Sequence, residues 1–207
     1  MAEHIEIHPK NPQPRLISRA AAVLRDGGVV VYPTDSCYAL GCRLGEKAAL
    51  DRIRMIRRVD DKHNFTLVCR DLSEIATYAR IDNAAYRLLK SLTPGPYTFI
   101  TEATKQVPRR LLHPKRRAIG IRVPDTPIVR DLLAELDQPI LSTTLILPGD
   151  EQPLDDMYDI RSLMDHCVDL IIDGGHCGTE PTTVVDMTAD PPAVLRHGRG
   201  DTSVFGA

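Results

Sequence analysis

No apolar run in these 207 residues approaches the roughly 18 that a membrane span requires. The opening residues, Met1, Ala2, Glu3, His4, Ile5 and Glu6, carry no apolar stretch of the kind that heads a secretory signal. A cytoplasmic protein with no membrane partner is expected. Five cysteines (Cys37, Cys42, Cys69, Cys167, Cys177) include no Cys-x-x-Cys pair, and zinc sites and disulfide frameworks both rely on close paired spacing. Reduced thiols are expected instead. The seven histidines are scattered, without a His-Glu-x-x-His run, so no protein-built metal site is expected. Neither a Gly-x-x-x-x-Gly-Lys-Ser/Thr loop nor a Gly-x-Gly-x-x-Gly turn occurs, which sets aside P-loop and Rossmann nucleotide binding. Aromatic residues make up only 4% of the chain, which leaves little for stacking on unpaired bases.

What is there suits one domain spanning 1–207. The chain is 43% hydrophobic and 26% charged, and at this length it buries roughly 70% of its unfolded surface without staples. Leu16, Ala20, Val23 and Leu24 recur at helical spacing before Gly27-Gly28, predicting a helix over Arg15 to Asp26. Val29 to Tyr32 is a short apolar, β-branched run, the mark of a strand covered on both faces. Helices are predicted near 48–58, 72–78, 83–92, 127–136 and 160–166. Strands are predicted near 65–69, 97–101, 118–123, 139–144, 168–172, 183–187 and 193–196. The interleaving predicts an α/β fold, a twisted mixed sheet flanked by helices. Gly149 to Tyr158 reads as a surface loop.

Charge is less even than the net value of -2 suggests. Lys105, Arg109, Arg110, Lys115, Arg116, Arg117 and Arg122 fall in 18 residues without an acidic one, and Arg52, Arg54, Arg57, Arg58 and Lys62 form a second cluster. Seven like charges repel one another unless something compensates, so a polyanion, triphosphate or nucleic acid, is the ligand class to expect. For the second cluster a solvated helix face is an equal alternative.

Ligands of α/β sheets dock at strand ends. There the sequence places Thr34-Asp35-Ser36-Cys37-Tyr38, then Ser142-Thr143-Thr144, then Thr182-Thr183, with Arg196 close behind. Hydroxyls with arginines, and no nucleophile–base pair, suit positioning of a phosphorylated ligand better than covalent catalysis. An ordinary turn capped by Thr34 and Asp35 explains the first segment equally well by itself.

Pro33 to Gly41 resembles the Pro-Thr-Glu-Thr-x-Tyr-Gly-Leu-Gly segment of the YrdC/YciO family of threonylcarbamoyl-AMP synthase-like proteins. Thr93-Pro94-Gly95-Pro96-Tyr97-Thr98, Ile121-Arg122-Val123-Pro124-Asp125, Thr182-Thr183-Val184-Val185-Asp186 and Leu195-Arg196 are similar to its other blocks, in order over about 14–200. His63 to Leu67 and Ser142 to Gly149 look more like the YciO branch. The resemblance implies a YrdC-like domain around a positively charged concave cleft. It also implies condensation of L-threonine, bicarbonate and ATP, with Mg²⁺, to threonylcarbamoyl-AMP and pyrophosphate, which feeds t⁶A modification of tRNA. Carried over by position, Thr34, Ser36, Tyr38, Arg122 and Thr182 would hold the amino acid, and Arg57, Lys62, Ser142, Thr144 and Arg196 the nucleotide. Arg109, Arg110, Lys115, Arg116 and Arg117 would meet tRNA or double-stranded RNA.

The sequence departs from the family pattern at three places. Its Lys-x-Arg motif reads Arg57-Arg58-Val59, its Ser-x-Asn motif reads Thr144-Leu145-Ile146, and a family histidine corresponds to Cys69. These changes fall on the nucleotide half. Three readings follow: a synthase of weak or altered activity, an RNA-binding protein built on the cationic cleft, and a related activity on another nucleotide or acyl-adenylate. If the basic run binds RNA, contact is made to phosphates of duplex or folded RNA, and affinity falls steeply with salt. Filter binding at low and physiological salt checks this, and a constant affinity refutes it.

Overall fold

Side chains alternate across a strand, and that alternation sorts the apolar residues of this chain onto two faces of one sheet. The computed structural model describes residues 1–60, 63–112 and 117–206. Lys62, Lys115 and Arg116, expected above to meet ligands, lie outside the described residues. The strands are β1 (Glu3–Glu6), β2 (Val30–Tyr32), β3 (Ala39–Arg43), β4 (Thr66–Val68), β5 (Ala79–Arg80), β6 (Tyr97–Ala103), β7 (Ala118–Arg122), β8 (Ile140–Thr144), β9 (Leu170–Asp173), β10 (Thr183–Asp186) and β11 (Ala193–Arg196). The helices are α1 (Pro14–Arg25), α2 (Lys47–Arg57), α3 (Leu72–Tyr78), α4 (Asn83–Leu92), α5 (Pro127–Leu136) and α6 (Met157–Met164).

Among the described residues all strands join one mixed sheet, in the order β1-β9-β2-β3-β8-β4-β7-β6-β10-β11, with β5 paired to β6. Parallel pairs (β1–β9, β2–β9, β4–β7, β6–β10) mix with antiparallel ones. The α/β expectation is met. Val31, Leu40, Leu67, Phe99, Ile121, Leu141, Ile171 and Val185 point to one face, where they pack with residues of α2, α3, α4 and α6. Val30, Tyr32, Val68, Ile140, Leu170 and Ile172 point to the other, under α1 and α5. The two helices cover only part of that second face. Beyond them the same face carries Thr66, Thr98, Ile100, Gly120, Arg122, Ser142 and Thr144, which form the floor of a cavity.

Local chemistry explains where elements begin and end. Pro14 opens α1 and Pro127 opens α5, positions where a missing N–H costs nothing. Helix α1 buries Ile17, Ala20, Ala21 and Leu24, one stripe at helical spacing, and Gly27 beyond it takes φ 82°. Helix α6 starts three residues before the predicted Ile160, inside the segment read as a loop. The reason is Asp156, whose carboxylate accepts from the N–H groups of Tyr158 and Asp159. No helix among the described residues is long and apolar enough to cross a membrane.

Three strands were not predicted. Strand β1 has four residues with one apolar side chain, Ile5, β5 has two residues, and β3 follows so closely on the Thr34 turn that its start reads as part of it. Pairing with β2 on one side and β8 on the other imposes the extended form on β3. Gly41, at the centre of β3, allows the close approach. A Cβ there would lie 2.7 Å from both Ile140 Cγ2 and Tyr32 Cε1. Gly41→Ala therefore overpacks the layer under α5 and should destabilise the protein by about 1–3 kcal/mol, read from the midpoint of denaturant unfolding.

Candidate functional site

The cavity has a volume of about 520 Å³, within the range that holds a small-molecule ligand. Among the described residues, Thr34, Ser36, Tyr38, Arg57, Arg122, Ser142, Thr144, Thr182 and Arg196 all line it. They come from the β2–β3 turn, α2, β7, β8, the approach to β10, and β11. Among the described residues, the wall holds three arginines and no aspartate or glutamate.

The β2–β3 turn is built by one hydroxyl. Thr34 Oγ1 donates to the Cys37 carbonyl (2.6 Å) and accepts from the N–H groups of Ser36 and Cys37, both at 3.2 Å. That local bonding is the turn chemistry a threonine supplies, and it leaves Ser36 Oγ 3.1 Å from Thr34 Oγ1. Asp35, between them, pairs with the Arg122 guanidinium and also accepts from the Asp125 N–H at 2.9 Å. Their side chains are 9% and 10% exposed. Arg122 also donates to Ser36 Oγ at 3.4 Å, a long bond. Arg122 reaches this end of the cavity because it sits on the same face of β7 as Gly120.

Arg196 arrives from the opposite edge. Its Nη2 donates to the Thr182 carbonyl (2.8 Å) and hydroxyl (3.2 Å), and Thr182 Oγ1 lies 2.8 Å from Thr98 Oγ1. Burial, and secondarily the positive charge of Arg122, pull the Arg196 pKa below its ordinary value, while Cys37 opposes. Arg57 projects from the last turn of α2 and donates to the Ile146 carbonyl, and burial lowers its pKa likewise. The Nε atoms of Arg57 and Arg122 are buried donors without a hydrogen-bond partner. A buried unpaired donor is costly.

Ser142 is anchored from below: Tyr32 donates to its Oγ at 2.6 Å, and burial pushes the Tyr32 phenol up to about 12. Tyr38 lines the cavity, but its hydroxyl is spent on the loop behind, donating to the Gly175 carbonyl (2.7 Å) and accepting from Gly174 N–H (3.2 Å). Burial holds Tyr38 well above the usual tyrosine range and Cys37 at about 11, so both stay protonated near neutral pH.

The basic run divides. Arg122 is in the wall, while Arg109, Arg110 and Arg117 are exposed. Arg110 donates to the Gly45 carbonyl at 2.7 Å, at the foot of α2. Of the family departures, Ile146 lines the cavity and offers hydrocarbon to it, whereas Val59 and the fully buried Cys69 are not in the wall. Sequence reasoning passed over Asp35 as a partner for Arg122. It gave no role to Thr66, Thr98 or His63, which are in the wall beside Thr143. Among the described residues no group of three or more His, Cys, Asp or Glu side chains is placed to hold a metal ion.

The cavity thus lies on the half-covered face of a mixed α/β sheet, floored by hydroxyls and rimmed by arginines. The profile of the Sua5/YciO/YrdC family, described as telomere recombination, matches residues 22–198. The chain belongs to that family. It is 55% identical to the Escherichia coli protein YciO over 205 residues, covering 99% of this chain and 100% of YciO. The crystal structure of E. coli YciO superposes with a TM-score of 0.96, again over 99% and 100% of the two chains. A threonylcarbamoyl-AMP synthase of Chromobacterium violaceum is 33% identical over 144 residues, 69% of this chain and 74% of the synthase. The crystal structure of P. abyssi Sua5 complexed with L-threonine shares the fold at 24% identity, with a TM-score of 0.86 over 99% of this chain and 64% of Sua5.

Asp35 is what keeps the Arg122 charge matched. Asp35→Ala should destabilise the protein by about 1.5–3 kcal/mol, the range for a charged hydrogen bond lost with its partner left buried. Chemical denaturation against wild type checks this.

Proposed function

We propose that the protein is a threonylcarbamoyl-AMP synthase-like enzyme that holds a nucleoside triphosphate and an amino acid together in this cavity. The observation that carries the reading is convergence. Thr34, Ser36, Arg122, Thr182 and Arg196, spread over 163 positions of sequence numbering from 34 to 196, meet in one wall with Arg57 and, among the described residues, without a carboxylate. The 33% identity to a threonylcarbamoyl-AMP synthase supports the same chemistry, as does a fold shared with a threonine-bound relative.

The proposed reaction uses the site to position and neutralise. L-Threonine, its carboxylate toward Arg122 and its hydroxyl toward Thr182, gives up an ammonium proton to bicarbonate, which breaks down to water and carbon dioxide. The free amine adds to that carbon dioxide, forming an N–C bond and a carbamate and releasing a second proton to solvent. A carbamate oxygen attacks the α-phosphorus of ATP. The new P–O bond forms as the bond to pyrophosphate breaks, leaving threonylcarbamoyl-AMP. No covalent nucleophile of the protein is needed, only charge neutralisation and in-line placement. Arg57 and Arg196 would take the phosphates, and their unused N–H capacity fits that group. Magnesium would travel as part of the MgATP substrate. The half-enclosed cavity limits water, which otherwise hydrolyses the mixed anhydride. Ile146, a hydrocarbon where the family has an amide, weakens the nucleotide half and is expected to slow turnover. The product would feed t⁶A modification of tRNA.

A second reading rests on the exposure of Arg109, Arg110 and Arg117. Cations outside the wall serve a ligand larger than the cavity, and folded or double-stranded RNA is of that kind.

The decisive assay supplies ATP, Mg²⁺, bicarbonate and L-threonine and measures pyrophosphate and threonylcarbamoyl-AMP. Product that vanishes when threonine or bicarbonate is left out is expected, and its absence with ATP still bound favours a different acyl-adenylate. In the same preparation, Arg196→Ala should weaken ATP binding by about tenfold or more without unfolding the protein. Unchanged affinity would remove Arg196 from the phosphate site.

A further inference from the structure

His63 shares one end of the cavity with Arg57. Its Nε2 lies 3.1 Å from Thr143 Oγ1 on β8, and its ring meets Phe65 edge-on, 5.1 Å between centroids. Arg54 and Arg57 face it from α2, with Arg54 stacked over Phe65 at 5.8 Å. Asp60 faces it from the segment after α2. Burial first, then the charge of Arg57, pull the imidazole below its ordinary pKa; Arg54 adds to this and Asp60 opposes it. With no anion present, these influences favour the neutral imidazole. Arg122 and Arg196, which influence each other, do not figure among the charges acting on His63. Among the described residues, the wall thus carries two cationic groups, Arg57 with its neighbour His63 and Arg122 with Arg196.

An anion entering beside Arg57 reverses the local field and favours imidazolium over imidazole. We propose that His63 is the second cation of a phosphate-binding end formed with Arg57, and that it becomes charged only as the phosphate arrives, taking up one proton from solvent. This rests on the reading above in one respect, that the ligand carries phosphate. It adds a residue to the site and a pH dependence to binding. The sign follows from linkage. Binding that takes up a proton weakens as pH rises, by up to about tenfold per unit, between the free and the bound pKa of the group.

The test is calorimetric titration of the whole protein with ATP and with inorganic pyrophosphate, at about pH 6 to about pH 8, in buffers of differing ionisation enthalpy. Wild type, His63→Gln and His63→Lys are compared, so that the ligand's own proton equilibria cancel. Wild type should take up about one proton more per ligand than either variant. Its affinity should fall more steeply with pH than that of His63→Gln, while His63→Lys binds with a flatter pH profile. In wild type alone, the titration midpoint of the His63 ring resonance should move upward when ATP is added. Equal proton uptake in all three proteins, an unmoved midpoint, or failure of both ligands to bind would each overturn the proposal. The synthase reading fails separately. Proton-linked ATP binding without threonine-dependent pyrophosphate release sinks that reading and leaves His63 in place. Turnover in a protein lacking the linkage does the reverse.

Discussion

Guanidinium groups gathered around a hollow with no carboxylate among its described residues are a standing electrostatic cost. The surrounding structure answers it one arginine at a time. Arg57 leans on the Ile146 carbonyl, Arg196 on the Thr182 carbonyl, and Arg122 on the Asp35 carboxylate, which stands just behind the wall. Each brace draws on the outer part of the guanidinium, and for Arg57 and Arg122 the Nε donor is left over. The protein is thereby folded with its cations in place and incompletely satisfied. On the reading proposed above, anions would meet such a site with little rearrangement of the protein.

The sheet makes the arrangement possible. Four helices cover one face, and α1 with α5 cover part of the other. Where hydrocarbon ends on the second face, hydroxyls begin in the same strands: Val68 and Ile140 lie under helices, while Thr66 and Ser142, two residues away, floor the cavity. A single alternating pattern thus serves as core at one end of a strand and as binding surface at the other. Gly120, in the middle of that floor, keeps the backbone bare. A Cβ there would stand 3.0 Å from Thr66 Oγ1 and 3.2 Å from Thr98 Cγ2.

Much of this was readable from residue order. The buried β2 run, the amphipathic α1 and the alternation of helix with strand gave the architecture, because periodicity reports burial directly. The hydroxyl-bearing strand ends announced the cavity. What was not readable depends on pairing between distant segments. Strand β3 looks like a turn until β8 is beside it. The basic stretch 105–122 looks like one patch, yet Arg109 and Arg110 sit on a single 3-10 turn at the surface, while the pleat of β7 turns Arg122 inward. Asp35 reads as a turn residue, since nothing in sequence joins it to an arginine 87 positions away. His63 is one histidine after a basic helix, and only the return of the chain along β4 brings it against Thr143.

Strand β11 has one neighbour, β10, and so forms an open border of the sheet among the described residues. Leu195 there is 56% exposed, and Arg196 occupies the final residue of the strand. Border strands unzip more readily than central ones, and their amides exchange with solvent sooner. A guest gripped by Arg196 would hold that border closed, so occupancy of the hollow and protection of the C-terminal hairpin rise together.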